Sequence, residues 1–163
     1  MPDLPHPIIR HAETEDRAAL VRLMIALQEF ERAIEASLQP GAEMAEAHID
    51  YQLREVAARK GVALLAEQDR RPRGFLIGWM EEEPGSYVQP DRHHYGFINS
   101  LFVDEDMRGS GLAQHLIAAA EAHFAVQGAG ATKLFALAKN PLAQRFYERV
   151  GYRPIEWTYF KRL

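Results

Sequence analysis

The chain has 163 residues, 47% hydrophobic and 26% charged, which are globular values that leave little room for a disordered or fibrous reading. Lys and Arg number 19 against 23 Asp and Glu, so no basic face is implied and nucleic acid is excluded as the main partner, with a faint bias towards a cationic one. Cysteine is absent, which removes both a disulfide framework and a covalent acyl-cysteine intermediate.

This length predicts one domain over residues 1–163, able to bury roughly two thirds of its unfolded surface. The early prolines Pro2, Pro5 and Pro7 leave no signal-type apolar core, and no run approaches membrane-spanning length. The expectation is a cytoplasmic protein with no membrane partner, and a homodimer is left open.

Residues 7–11 (PIIRH) read as a first strand. Thr14 is the expected cap of the helix that follows, with Leu20, Leu23, Leu27, Phe30 and Ile34 on one face. A second helix is predicted over 44–60, oriented by Glu43 and Glu46 at its start and capped by Gly61. Residues 62–66 and 74–80 read as strands joined by a basic turn at 69–73. The acidic run Glu81, Glu82 and Glu83 and the loop over 84–92 read as solvated surface. Residues 95–103 form a near-continuous apolar run, interrupted by Asn99 and Ser100, as expected of a central strand. A third helix is predicted over 112–127, a strand over 132–138, a short helix over 141–149 with Pro141 in its first turn, and one or two closing strands over 152–161.

The stretch 98–113, INSLFVDEDMRGSGLA, passes from strand through a glycine-bearing turn into a helix. Such a helix start presents unpaired N–H groups and the positive end of a dipole to an anion. No acid stands in its first turn; the first one downstream is Glu121. Gln114 stands where the dinucleotide fingerprint needs a third glycine, and no GxxxxGK[ST] occurs. What remains is R-x-x-G-x-A over Arg108, Gly109, Ser110, Gly111, Leu112 and Ala113. It resembles the pyrophosphate-binding motif of the GCN5-related N-acetyltransferases, Gln/Arg-x-x-Gly-x-Gly/Ala. Some thirty residues on, NPLAQRFYERVGY over 140–152 is similar to the next motif of that family. Both stand in the family's order and separation; the likeness is strong over 97–163 and upstream extends only to the pattern of elements.

The resemblance implies an α/β fold, with helices on both faces of a mixed, mostly antiparallel sheet that splays after its fourth strand to admit the pantetheine arm of acetyl-CoA. It also implies that the backbone of Leu101, Phe102 and Val103 pairs with the pantetheine and that the amides of residues 108–113 hold the pyrophosphate. Asn140 and Phe146 are carried over as contacts to the same co-substrate, and Tyr147 as the acid that protonates the leaving thiolate, its phenol lying above a thiol in reference pKa. Arg108 is open to two readings, a phosphate ligand or a surface residue. Asp104, Glu105 and Asp106 are expected to point to water. The acceptor is an amine of a small molecule or a protein. The general base is not singled out by sequence: the candidates are His93, His94, Glu81 to Glu83, Glu29 and Glu31. His48, His115 and His123 share no ligand spacing, so no metal is expected. A non-catalytic acyl-CoA sensor on the same fold and a nucleotide-binding domain stand as alternatives.

Overall fold

The computed structural model describes residues 7–163, so Pro2 and Pro5 lie outside the described residues. Five strands form one sheet in the spatial order in which they occur in the chain: β1 (Ile8–His11), β2 (Val62–Gln68), β3 (Arg71–Glu82), β4 (His94–Val103) and β5 (Ala131–Leu134). Neighbours are antiparallel except β4 and β5, which run parallel. That exception follows from the connection, because the helix α3 (Leu112–Val126) separates the two and a parallel return needs a crossover.

Period-two alternation gives the sheet two apolar faces. Leu65, Phe75, Ile77 and Trp79 pack under α1 (Arg17–Arg32) and α2 (Gly41–Ala58) through Leu20, Leu23 and Ile49. Leu64, Leu76 and Ile98 face the other way, onto Leu112, Leu116 and Phe124 of α3. The last helix, α4 (Pro141–Arg149), joins this second layer through Phe146 and Tyr147. The mixed, mostly antiparallel sheet covered on both faces is thus the observed architecture.

Local chemistry departs from the sequence reading in several places. Thr14 is not the cap: the Asp16 carboxylate accepts from the Glu13 N–H at 2.8 Å, which starts a short 3-10 turn before α1. The second helix begins at Gly41, three residues early, because the Glu29 carboxylate accepts from the Gly41 N–H at 2.6 Å. At the other end of α2 the left-handed residue is Lys60 (φ 50°), and Gly61 serves a different need. A Cβ there would lie 2.5 Å from the Gly78 carbonyl oxygen. Of the acidic run only Glu82 is exposed as expected: Glu81 takes hydrogen bonds from Arg59 (2.7 Å) and Trp79 (2.8 Å), and buried Glu83 pairs with Lys133 of β5. β5 stops at Leu134 rather than 138, and residues 152–163 form no strand. Ile155, Trp157 and Tyr159 alternate as a strand would, yet all three are exposed and no neighbouring edge pairs with them.

α3 comes close to the sheet where Gly96 leaves room for it, with Ala120 fully buried in the same layer. A Cβ on Gly96 would sit 2.2 Å from the Phe124 ring, which is itself fully buried. Gly96→Ala is therefore expected to lower stability by about 1–3 kcal/mol through overpacking, read as a lower urea midpoint with an unchanged slope. An unchanged midpoint would mean that Phe124 can swing away without cost.

Candidate functional site

Beyond Val103 the chain makes a short 3-10 turn over Glu105–Met107 and enters α3 through two left-handed glycines, Gly109 (φ 80°) and Gly111 (φ 88°). That path decides which amides are free. The Arg108 and Ser110 N–H groups donate back to the carbonyls of Glu105 and Met107, at 3.2 and 3.3 Å. The amides of Gly109, Gly111, Leu112, Ala113 and Gln114 meet no acceptor among the described residues. Open space lies before Gly109, where an added Cβ would meet nothing within 4 Å. Five unpartnered N–H groups thus lie together at the positive end of a 15-residue helix, an arrangement that suits an anion.

The acids before this turn do not oppose it. Asp104 and Asp106 are held by Arg73 of β3, and Arg22 of α1 stands 3.5 Å from Asp104. They are neutralised in place, and Asp104 is partly buried rather than pointing to water. Arg108 is neither a lone surface group nor committed to an anion: its guanidinium lies over the Phe30 ring of α1, 4.7 Å from the centroid. The Ser110 hydroxyl donates to the Met107 carbonyl at 2.6 Å and so belongs to the turn itself.

A bulge sits where β4 borders the site. Ile77 pairs with Ser100 while Gly78 pairs with Ile98, so Asn99 is the extra residue. The alternation slips there, and Asn99 and Ser100 both reach one partner, the buried Gln52 of α2. Past the bulge β4 loses β5, since their pairing ends at Ile98 and Leu134. Residues Ser100 to Val103 thus keep a strand partner on the β3 side only.

A cavity of about 210 Å³ opens at this parting. Gln28, Glu31 and His48 reach it from the α1 and α2 layer, Ser100 and Leu101 from β4, and Tyr147 from α4 on the opposite face. It therefore passes through the sheet. The Tyr147 hydroxyl makes no hydrogen bond among the described residues, and burial, aided by the Glu31 charge, pushes the phenol up to about 12. Burial also raises the Glu31 carboxyl and lowers the His48 imidazole from their ordinary values.

The other expected residues divide. Asn140 is buried and caps α4, its Oδ1 accepting from the Ala143 N–H at 3.1 Å, which leaves its Nδ2 unengaged. Phe146 packs in the α3 and α4 layer with the Arg149 guanidinium 5.6 Å from its ring centroid, and it does not line the cavity. Of the base candidates, Glu29 is committed to Gly41 and Arg32, and Glu81 and Glu83 to the pairs described above. His93 and His94 stand at the opposite end of β4. Glu31 is the candidate the fold brings in. His48 also lines the cavity, which its sequence context does not reveal, since it stands alone on its helix with no ligand-spaced partner.

A mixed sheet that parts at its parallel edge, beside a glycine turn with free amides, defines the acyl-CoA N-acyltransferase fold. The chain belongs to the acetyltransferase (GNAT) family, whose model matches residues 25–152. Over 91 residues it is 33% identical to mycothiol acetyltransferase of Kocuria rhizophila, covering 50% of this chain and only 30% of that enzyme's length. Over 115 residues it is 29% identical to the acetyltransferase Atu2258 of Agrobacterium fabrum, covering 70% of this chain and 82% of that protein. The aminoglycoside N-acetyltransferase AAC(6')-Iy, solved in complex with CoA, shares the fold with a TM-score of 0.77 at 18% identity over 100% of this chain and 98% of its own. No helix among the described residues is long and apolar enough to cross a membrane.

The raised phenol has a consequence for stability. Below about pH 10 Tyr147 is protonated in both folded and unfolded chains; between about pH 10 and the folded value the unfolded chain alone gives up its proton. Stability contributed by the neutral ring is thus present below that window and lost as pH rises through it. Urea midpoints at about pH 9 and about pH 11.5 should fall more steeply in the wild type than in Tyr147→Phe; parallel falls would show that the phenol titrates normally.

Proposed function

We propose that the chain, residues 1–163 acting as one domain, is an N-acetyltransferase that moves an acetyl group from acetyl-CoA directly to a primary amine. The observation that carries this reading is the row of unpartnered amides at the start of α3, set beside a β4 edge that has lost its partner. A diphosphate suits the first, because it accepts several N–H bonds at once. The amide-bearing pantetheine arm suits the second, because an extended chain adds to a strand edge. Gly109, Gly111, Leu112 and Ala113 would hold the diphosphate through their backbones, with Arg108 and Ser110 shaping the turn. Leu101, Phe102 and Val103 would pair with the arm, Asn140 would offer its free Nδ2, and Phe146 would back the wall behind Tyr147.

When bound, acetyl-CoA supplies an activated acyl group as a thioester. With no cysteine in the chain, the acyl group has no protein thiol to visit, which supports direct transfer. The β4 backbone polarises the carbonyl by presenting N–H donors in a half-desolvated setting. Tyr147, neutral at every physiological pH, is the proton donor for the departing sulfur. The unpaired Glu31 carboxylate in the cavity supports turnover over the non-catalytic sensor alternative.

Coenzyme A at a hundred times its dissociation constant should stabilise the protein by about 2.7 kcal/mol in a thermal shift, with ATP and NAD giving less. Tyr147→Phe should keep that shift while thiol release in the presence of an amine falls by about 10². A shift with ATP and none with coenzyme A would overturn the reading, and unchanged turnover would take Tyr147 out of the mechanism.

A further inference from the structure

We infer that His48 is a positioning residue for the transfer reaction: its protonation selects between two settings of the buried Gln52 amide, one that grips Asn99 at the bulge of β4 and one that lets it go. The effect on turnover rests on the acetyltransferase reading above; the switch itself does not.

Three groups converge on one nitrogen. The Gln52 Nε2 lies within hydrogen-bond reach of Asn99 Oδ1, of Ser100 Oγ at 2.6 Å and of His48 Nε2 at 3.2 Å. An amide nitrogen carries two hydrogens, so it fully serves two acceptors and no more. Asn99 and Ser100 are the closer pair and take them, which leaves His48 as the third. The Gln52 Oε1, by contrast, meets no partner among the described residues, although the side chain is fully buried. The amide is oversubscribed at one end and idle at the other.

A proton on His48 changes which end is wanted. The neutral ring can keep its hydrogen on Nδ1 and turn a lone pair towards Gln52. The imidazolium has hydrogens on both nitrogens, so its Nε2–H would face the amide N–H. Turning the amide end for end brings the idle Oε1 to that position, where it accepts a charge-assisted bond. A carbonyl oxygen has two lone pairs and would again meet three claimants. His48 brings the charge, and the Ser100 hydroxyl is buried and able to donate, so these two keep their bonds. Asn99 is exposed and can take water instead. It is therefore the residue released, and it is the extra residue of the bulge. The β4 edge assigned to the pantetheine arm, Leu101 to Val103, begins two residues on.

The surroundings leave the choice to His48. Glu31 of α1 and Tyr147 of α4 share the cavity with it, the Tyr51 ring of its own helix lies 5.9 Å away, and β4 offers only the neutral Asn99 and Ser100. Burial holds the imidazole below its ordinary value. The ring is thus neutral at pH 7 and the gripping setting prevails. The proton arrives only in acid solution, and it arrives through the cavity that His48 lines.

The test compares the full wild-type chain with His48→Gln and Gln52→Leu between about pH 5 and about pH 8. All three should keep a thermal shift with coenzyme A, which shows that they fold. In NMR spectra of the wild type, the side-chain amide resonances of Gln52 and Asn99 should move together with the His48 ring at one midpoint below ~6.5. In His48→Gln they should stand still. Thiol release from acetyl-CoA is followed with spermidine, an aminoglycoside and a lysine-rich peptide, and the fastest acceptor is carried through the pH series. The ratio of wild-type kcat to that of His48→Gln at the same pH should fall by about fivefold or more as pH drops through that midpoint, since groups common to both proteins cancel. KM for acetyl-CoA should change in parallel in the two, because the diphosphate amides lie outside the bulge. Gln52→Leu should lose the step in kcat while its His48 ring still titrates. Amide resonances that ignore the His48 titration, or a flat ratio of kcat, would overturn the inference and leave the acetyltransferase reading intact. No thiol release with any amine, from a protein that still binds coenzyme A, would overturn that reading and the role in turnover, while the amide resonances would still decide the switch.

Discussion

The site depends on one constraint: β4 and β5 are held together for four residue pairs and then must part. Two local features enforce it. The extra residue Asn99 puts a bulge in β4, which bends and twists a strand at that point. β5 is short, and six residues after Leu134 the chain is committed to a new helix by the Asn140 cap and Pro141. A parallel pair cannot be prolonged when one member turns away. What opens is a passage between two layers that are each well packed, so the sheet can carry a hole without losing either core. A reaction with two substrates gains from this, because one can approach from the α1 and α2 face while the other lies along the bared edge of β4.

The electrostatics around the glycine turn follow the same logic of spending charges elsewhere. The chain is acidic overall and carries three acids immediately before the turn, yet its helix start is offered to an anion. Arg73 and Arg22 resolve the conflict by drawing Asp104 and Asp106 towards β3 and α1. The 3-10 turn then consumes the Arg108 and Ser110 amides internally and leaves the following ones bare. Arg108 stacks on Phe30, the residue next to Glu31, so the anion-binding turn and the cavity wall are tied to the same end of α1.

Much of this was legible from sequence where the signal was local. The bounds of α4 follow from Asn140, Pro141 and the apolar spacing of Phe146 and Val150. The glycines at 109 and 111 announce a turn that needs positive φ, and they adopt it. What was not legible depends on contacts between distant elements. Helical periodicity puts Leu20 and Leu23 in the core, but it cannot say that the next turns of α1, at Gln28 and Glu31, overlook a gap between two strands. The Glu81 to Glu83 run looks solvated until Arg59 and Lys133 are brought to it from a helix end and an edge strand. Gly61 reads as a cap, yet its backbone angle is ordinary and its missing Cβ serves a strand crossing 17 residues away, at Gly78. Residues 152–161 show the reverse error: alternation is necessary for a strand but supplies no edge to pair with.

Gln52 shows how fold and site are joined. It is fully buried on α2 and spans to two consecutive residues of β4, Asn99 and Ser100 (2.6 Å to the Ser100 hydroxyl), while also touching His48. Two neighbours on a regular strand point to opposite faces, so a single side chain can grip both only at a bulge. The grip therefore fixes the place where the alternation slips and with it the residue, Leu101, that borders both the cavity and the bare edge. An apolar residue of equal size at 52 would fill the space but leave the buried Ser100 hydroxyl without that partner. Among the described residues the amide's own Oε1 meets no partner, a cost on the order of 1–3 kcal/mol. Such a contact is worth its desolvation because it sets where the sheet opens, beside the cavity that Leu101 and Tyr147 line.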